Sequence, residues 1–246
     1  MTIFLLSQVA RTFLSAEQLK QLEAAGKLVV LDRPQPLADV KELFEGEEER
    51  ILAIDPDFCD WTVPNEVLAK IPHLRAIVLQ TTSFGYVDRE FCKAHGIVVM
   101  NTQNFSTVSV AEWATMTALN LARKIPLVIK NEWKADFEKH RGMELRGKTV
   151  GVIGLGHIGT AVLQNCRGLE MKTQYWSAHT RDDRFTFAEV ADVMATSDVI
   201  FLCAALNADT AKMITDELIL KMKPTAIFVR TGFAPNHTLM LEMVKY

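Results

Sequence analysis

The sequence has few of the features that mark secreted, metal-binding, membrane-spanning or nucleic-acid-binding proteins. Its 246 residues contain four cysteines, with no C-x-x-C pair and no cysteine–histidine cluster at zinc-ligand spacing. We therefore predict reduced thiols, no metal site and a cytoplasmic location. The net charge of −3 gives no electrostatic basis for binding nucleic acid or an anionic membrane. No apolar run reaches the roughly 18 residues of a membrane span, and residues 1–6 resemble a strand more than a signal peptide.

The first hundred residues alternate short apolar segments with amphipathic ones. Ser15 is placed to cap a helix that Gly26 would end. Strands that alternate with helices at this spacing predict an α/β fold with a parallel sheet covered on both faces. The predicted strands are residues 2–6, 28–31, 51–54, 76–79 and 97–100, and the further predicted helices are residues 37–44, 63–71 and 88–95.

A second α/β series follows a long helical stretch. The helix is predicted over residues 108–122, with a continuation over 125–137, and a charged turn then leads into the second series. The predicted strands of this series are residues 149–153, 172–176, 199–203 and 226–229. The boundary between two domains, 1–105 and 106–246, is therefore predicted at the start of the long helix.

A glycine-rich loop joins the first strand of the second series to a helix. Residues 154–159 read G-L-G-H-I-G, directly after the apolar strand. Gly154 permits a tight turn, Gly156 lets backbone approach a diphosphate, and Gly159 lets the helix pack closely on the strand. Amides at the helix start, including those of His157 and Ile158, would face the phosphates. The loop predicts dinucleotide binding; the alternatives are a tight turn without a ligand and a methyl-transfer fold with a related loop.

The end of the next strand bears on the choice of cofactor. NAD-binding units usually carry an acid there, which accepts a hydrogen bond from the ribose. Ser177 occupies this position, and Asp182 follows about five residues too late. His179 and Arg181 lie just beyond and could attract a 2′-phosphate, although Arg181 is equally compatible with a solvated loop charge. The pattern favours NADP over NAD without excluding either.

Five stretches in the same order and spacing resemble the D-isomer-specific 2-hydroxyacid dehydrogenases. They are G-I-V-V-M-N-T at 96–102, T-V-S-V-A-E at 107–112, L-R-G-K-T-V-G at 145–151, S-D-V-I at 197–200 and M-K-P-T-A-I at 222–227. The resemblance runs from about Leu74 to the end of the chain, and more loosely before it. It implies two Rossmann-like domains: a flavodoxin-like substrate and catalytic domain over 1–105, and an NAD(P)-binding, doubly wound parallel sheet over 106–246.

The resemblance also implies an activity and a set of site residues. The family transfers a hydride between a nicotinamide and C2 of a small 2-keto or 2-hydroxy acid, in a cleft between the two domains. A first-domain loop grips the substrate carboxylate through backbone amides, and its counterpart here is residues 80–85, with Thr81, Thr82 and Ser83 as predicted substrate-binding residues. Thr107, a candidate helix N-cap as well, is expected near the cofactor, as are Thr210 and Thr231.

The catalytic residues of the family are not matched. The family motif ends in T-x-R-G, whereas residues 231–234 read T-G-F-A, so that Phe233 stands at the arginine position. Arg230 lies three residues earlier, about 10 Å along a strand, and is a weak candidate. The family's glutamate and histidine would follow Tyr246, and His237 is in the wrong place. Either this is a shortened copy of a longer gene, or it is a protein that kept cofactor binding and lost the chemistry.

Two functions therefore stay open from the sequence. One is an oxidoreductase of the 2-hydroxyacid class, and the other is a non-catalytic module that binds a dinucleotide and docks a partner. A methyltransferase is disfavoured by the residues between the glycines. The family pairs two subunits through the region of the long helix, which predicts a homodimer.

Overall fold

The computed structural model describes residues 1–134, 136–205, 210 and 212–231. It contains two five-stranded sheets in which all the strand pairs are parallel. The chain divides into two units, Met1–Phe105 and Ser106–Tyr246, with one sheet in each. The predicted α/β class with parallel sheets is therefore confirmed.

The first unit has the strand order β2-β1-β3-β4-β5. Its strands are β1 (Thr2–Leu6), β2 (Lys27–Leu31), β3 (Arg50–Ile54), β4 (Leu74–Leu79) and β5 (Val98–Asn101), and its helices are α1 (Ala10–Phe13), α2 (Ala16–Ala25), α3 (Asn65–Leu68) and α4 (Arg89–Ala94). This order reverses direction between β1 and β3, which makes the β1/β3 gap its topological switch point.

Helix α2 begins and ends where the sequence predicts. The Ser15 hydroxyl accepts a hydrogen bond from the Gln18 amide, and the Gln18 side chain accepts one from the Ser15 amide, which forms a capping box. Gly26 follows the last helical residue and leads into β2. A side chain there would meet the carbonyl oxygen of Met1 at 2.8 Å. Glycine therefore both ends the helix and lets two strands start side by side.

The predicted helix over residues 37–44 is wrong. The structure instead has two 3₁₀ turns, Leu37–Asp39 and Lys41–Leu43. Leu37, Val40 and Leu43 are all buried, and their spacing of three residues matches one turn of a 3₁₀ helix rather than of an α-helix. The apolar residues of this segment are therefore buried, but they lie on 3₁₀ turns and not on an α-helix.

Arg50, at the start of β3, donates hydrogen bonds to three loop carbonyls. The side chain is 2% exposed, and its guanidinium donates to the carbonyl oxygens of Pro72 at 2.5 Å, of Gly46 at 2.8 Å and of Glu45. Its Nε has no partner among the residues that the structure describes. A charge buried in this way is costly unless it is hydrogen-bonded, so Arg50 fixes the loop before β3 and the turn before β4.

The second unit has the strand order β10-β9-β6-β7-β8. Its strands are β6 (Thr149–Ile153), β7 (Lys172–Trp176), β8 (Thr186–Phe187), β9 (Val199–Leu202) and β10 (Ile227–Arg230), and its helices are α5 (Thr107–Ala122), α6 (Ile125–Lys130), α7 (His157–Gly168), α8 (Val190–Thr196) and α9 (Asp216–Leu220). Counted from β6, this is the 3-2-1-4-5 arrangement of a dinucleotide-binding sheet, with its switch point between β6 and β9.

Alternation along the strands builds a core on each face of the second sheet. Val150 and Val152 face one side, together with buried residues of α5 and α7. Ile153 and Ile200 face the other side, with residues of α8. Helix α5 presents Ala111 and other small residues where it packs against α7, so the two helices can approach closely. The predicted continuation to residue 137 is too long, because α6 ends at Lys130.

Candidate functional site

Gly154 makes the tight turn that ends β6. Its φ of +102° lies in the region that favours glycine, and its amide donates to the Trp176 carbonyl at 2.8 Å. A Cβ atom at this position would lie 2.4 Å from the backbone nitrogen of Ala204. The turn after β6 therefore lies directly against the segment after β9, and no residue other than glycine fits it.

Gly156 is the N-cap residue of α7 and leaves the start of that helix open. Its carbonyl accepts the first helical bond, from the Thr160 amide at 2.9 Å, and no side chain caps the helix. A Cβ atom on Gly156 would have no neighbour within 4 Å. The amides of His157, Ile158 and Gly159 form the first turn, which lacks intrahelical acceptors. The positive end of the helix thus faces open space, as a diphosphate requires.

Gly159 brings α7 down onto β6. A Cβ atom there would lie 2.3 Å from the Gly154 carbonyl oxygen and 2.9 Å from Cγ1 of Val152. Glycine is therefore needed for helix–strand packing, as the motif predicts. Each of the three glycines is thus required for a different reason. Only at Gly156 does the missing side chain leave open space that a ligand can enter.

The carboxyl ends of β9 and β10 add polar groups to the same edge of the sheet. Thr231 follows β10, and both its amide and its hydroxyl donate to the Leu202 carbonyl, at 3.1 and 3.2 Å. The Thr210 hydroxyl donates to the Ala205 carbonyl at 2.5 Å. Thr210 follows β9, which borders the switch point, and Thr231 follows the next strand, β10. Open α/β sheets bind ligands at the carboxyl ends of their strands near such a point.

The loop after β7 is held by its own side chains. Ser177 is 7% exposed, and its hydroxyl accepts from the Thr180 amide at 3.2 Å. Arg181 donates through Nη1 to the Ser177 carbonyl at 2.7 Å, and its guanidinium lies 4.0 Å from the ring centroid of Phe187. Arg181 is exposed all the same. A cation is thereby fixed at the end of β7.

Asp182 is the first acidic residue after β7, and it already has an ion-pair partner. Its carboxylate binds Arg184 through two oxygens, with the shorter contact at 2.6 Å. The hydrogen bonds from Arg184 hold the pKa of Asp182 below its usual range. Its amide donates to the Tyr175 hydroxyl at 2.7 Å, which anchors the loop to the core. Asp182 therefore stays ionised and engaged with its own loop.

Two thiols lie near the glycine loop, that of Cys166 in the core and that of Cys203 packed against it. Burial raises the pKa of both Cys166 and Cys203 to about 12, and for Cys203 a hydrogen bond with Thr231 acts in the opposite direction. All four cysteines are free, as predicted. Thiols with such a high pKa are protonated at neutral pH, so neither residue is suited to nucleophilic chemistry.

The predicted substrate loop of the first unit is shaped by its side chains. The Thr81 hydroxyl donates to the Ser83 carbonyl at 2.7 Å and lies 3.0 Å from the Tyr86 hydroxyl. The Thr82 hydroxyl donates to the Thr102 carbonyl at 3.0 Å. No acceptor among the described residues takes the amides of residues 82–85. These exposed amides are the groups that could bind a carboxylate, whereas the two threonine hydroxyls hold the loop in shape.

The structure gives the places of two further predicted site residues, Thr107 and Arg230, within their elements. Thr107 is the first residue of α5, and Ser106 rather than Thr107 occupies the N-cap position, so the prediction of a Thr107 cap is wrong. Arg230 ends β10 opposite Leu202 and is half-buried. Phe233 and His237 lie outside the described residues.

Sequence reasoning missed the part of the site that follows β9. Ala204 backs the glycine turn, and Asp55 follows β3 beside the substrate loop. Two signals were available in the sequence. Small residues follow the buried strand β9, and an acidic residue directly follows the buried strand β3. Both sites depend on which strands are neighbours, which the local pattern does not give.

Comparison with known proteins agrees with this geometry. Residues 115–237 match the family model described as "D-isomer specific 2-hydroxyacid dehydrogenase, NAD binding domain". A hydroxypyruvate reductase of Blautia hydrogenotrophica is 29% identical, over 88% of this chain and 70% of its own length. A glyoxylate reductase of Pyrococcus furiosus is 31% identical, over 68% of this chain and 54% of its own length. The match thus spans little more than half of the length of the second relative.

Solved structures show the same fold. A D-lactate dehydrogenase of Aquifex aeolicus, complexed with NAD and lactic acid, has a TM-score of 0.76 and 24% identity, over 94% of this chain and 68% of its own. No helix among the described residues is long and apolar enough to cross a membrane. The family model covers half of the chain, including the glycine loop, α7 and the strands on either side of the switch point. The chain belongs to the D-isomer-specific 2-hydroxyacid dehydrogenase family.

Proposed function

We propose that this protein binds a nicotinamide dinucleotide at the 154–159 loop and reduces a small 2-keto acid. When bound, the reduced cofactor supplies a hydride to C2 while a proton joins the carbonyl oxygen, which gives the 2-hydroxy acid and the oxidised cofactor. The observation that carries the proposal is the open start of α7 at Gly156. Amides of residues 157–159 would hold the diphosphate, and the free amides of residues 82–85 would hold the substrate carboxylate.

The test is keto-acid-dependent oxidation of NADPH or NADH. Glyoxylate, hydroxypyruvate and pyruvate are the first substrates to use, and loss of nicotinamide absorbance is the signal. We expect turnover with at least one of them. Calorimetric binding of either cofactor without any turnover would favour a non-catalytic binding module instead. Absence of binding would overturn the proposal as a whole.

We further propose that NADPH is preferred over NADH. Ser177 leaves no carboxylate at the end of β7 to repel a 2′-phosphate, and Asp182 is engaged by Arg184. Arg181 uses only Nη1 in its hydrogen bonds to the described residues, so that Nε and Nη2 remain as donors. The fixed guanidinium therefore has the chemistry to bind a phosphate.

Arg181→Leu should weaken NADPH binding about tenfold, because it removes one charged phosphate contact at an exposed site. NADH binding should change by less than about twofold. Isothermal titration calorimetry with both cofactors measures the difference. Lys172→Leu is the matched control, because Lys172 is an exposed cation at the opposite end of β7. Equal losses for both cofactors in Arg181→Leu would argue against a phosphate contact.

We also propose that the protein forms a homodimer through α5. Val108, Trp113 and Met116 lie within one arc of this helix and are 64%, 52% and 42% exposed. Two-fold symmetry allows one such apolar face to cover a second copy of itself. An exposed tryptophan on such a face is the kind of residue that dominates interface energetics.

Trp113→Glu should shift the protein to monomer by raising the dimer dissociation constant about 100-fold, because a carboxylate would be buried in an apolar contact. Sedimentation velocity over a concentration series measures this change. Leu220→Glu is the control, since Leu220 is 69% exposed on α9. A wild-type protein that sediments as a monomer at high concentration would contradict the proposal.

A further inference from the structure

Asp55 lies at the switch point of the first sheet. It directly follows β3, and Ser7 directly follows the neighbouring strand β1. The Ser7 hydroxyl donates to Oδ2 of Asp55 at 2.8 Å, and the Asp57 amide donates to Oδ1 at 3.2 Å. Ligands of open α/β sheets bind in the crevice at such a point. The Asp55 carboxylate is therefore held in place where a ligand would be expected.

The proposed substrate loop begins one strand away from Asp55. The Gln80 amide donates to the Ile54 carbonyl at 3.0 Å, so the loop leaves the sheet about 5 Å to the side of Asp55. The charge of Asp55 also reaches Tyr86, whose hydroxyl contacts Thr81. The free amides of residues 82–85 and the Asp55 carboxylate are thus close together at one end of the first sheet, with opposite electrostatic character.

The Asp55 carboxylate has no cationic partner among the residues that the structure describes. None of the ion pairs formed within the described parts of the chain includes it, although the residue is half-buried. A carboxylate offers about four acceptor positions, and the two hydrogen bonds leave the others available. A partly desolvated charge without a counter-ion is costly, and a positive ligand would reduce that cost.

We propose that Asp55 determines substrate specificity and selects 2-keto acids whose side chain carries an ammonium or guanidinium group. The inference rests on the proposed function, in which the amides of residues 82–85 hold the substrate carboxylate. A substrate held there and extending from β4 toward β3 would bring its side chain to Asp55. An anionic side chain would be repelled at the same position.

The test compares 2-keto acids with side chains of similar length and different charge. We would measure kcat/KM for 2-oxo-5-guanidinopentanoate, 2-oxohexanoate and 2-oxoadipate with the wild-type protein, Asp55→Asn and Asp55→Glu. The wild type should prefer the cationic over the neutral substrate by about tenfold and disfavour the anionic one. Asp55→Asn should lose this preference, while Asp55→Glu, which keeps the charge, should retain its direction. Asp57→Asn is the matched control and should keep the wild-type ratio within about twofold.

Failure of the inference and failure of the proposed function give different results. If the wild type reduces neutral and cationic substrates equally well, or if Asp55→Asn keeps the wild-type ratio, Asp55 has no role in specificity and the proposed function stands. If no keto acid is reduced with either cofactor, both are overturned. Should Asp55→Asn fail to fold, the wild-type substrate ratio together with that of Asp55→Glu still decides the question.

Discussion

Gly156→Val should abolish dinucleotide binding while leaving the fold unchanged. The φ of −97° and ψ of −163° at Gly156 are open to any residue, and a Cβ atom would meet nothing within 4 Å. Folding therefore does not need glycine here. A valine side chain would fill the space in front of the α7 amides, where the diphosphate must lie. We expect the dissociation constant for NADPH to rise at least about 100-fold, or about 2.7 kcal/mol.

Calorimetry with NADPH and thermal melting of both proteins would measure this effect. Gly168→Ala is the matched control: it lies at the other end of α7, where a Cβ atom also has open space, and it should leave binding unchanged without lowering the melting temperature. Normal NADPH binding by Gly156→Val would show that the diphosphate lies elsewhere. A large fall in melting temperature would contradict the view that the fold does not require this glycine.

Arg50→Met should destabilise the first unit by about 3 kcal/mol. The substitution removes three charge-assisted hydrogen bonds to loop carbonyls, each of which contributes about 1–3 kcal/mol where its acceptor is shielded from water. The methionine regains part of the loss through apolar packing. Urea denaturation followed by circular dichroism, with hydrogen exchange of peptides from β3 and β4, would locate the effect.

Arg75→Met provides the comparison for that experiment. Arg75 lies on the neighbouring strand β4 and pairs with Glu49 at 2.9 Å, but its side chain is 62% exposed. An exposed ion pair contributes less than about 1 kcal/mol, so the urea midpoint should hardly move. Equal effects of the two substitutions would show that burial of Arg50 is not what makes its bonds important.

Local patterns were enough to predict the strands of the second unit that build the glycine loop. Strands β6 and β7 begin and end at the predicted residues, because β-branched or aromatic residues are bounded by a charged turn and by glycine or serine. Strand β9 ends one residue earlier than predicted and β10 is displaced by one residue, at ends where hydrogen bonding and not residue type sets the limit. The chemistry of the glycine loop is local, and the sequence therefore predicted it.

Elements whose limits depend on backbone conformation were predicted less well. Glu132 and Trp133 have φ values of +51° and +61°, which end the helical path after α6, although their residue types do not require it. Strand β8 and helix α8 are short and were not predicted. Their stability comes from packing against β7 and β6, which no local window of sequence contains.

The sites that depend on strand order could not be predicted from one segment alone. The approach of Ala204 to Gly154 joins residues 50 positions apart, through the pairing of β6 with β9. The same is true of Asp55 and the loop at 80–85, which are brought together by β3 and β4. The sequence predicted which chemistry each segment carries, whereas the order of the strands decides which segments meet.

The hydrogen bonds around Thr81 also fix where a single proton resides. Thr81 has one hydroxyl hydrogen and gives it to the Ser83 carbonyl, so the Tyr86 hydroxyl must point its own hydrogen at Thr81. Burial also raises the pKa of Tyr86, which keeps that hydrogen in place at neutral pH. Tyr86 therefore presents only oxygen lone pairs to an arriving molecule. A ketone reduced beside this loop must take its proton from another group.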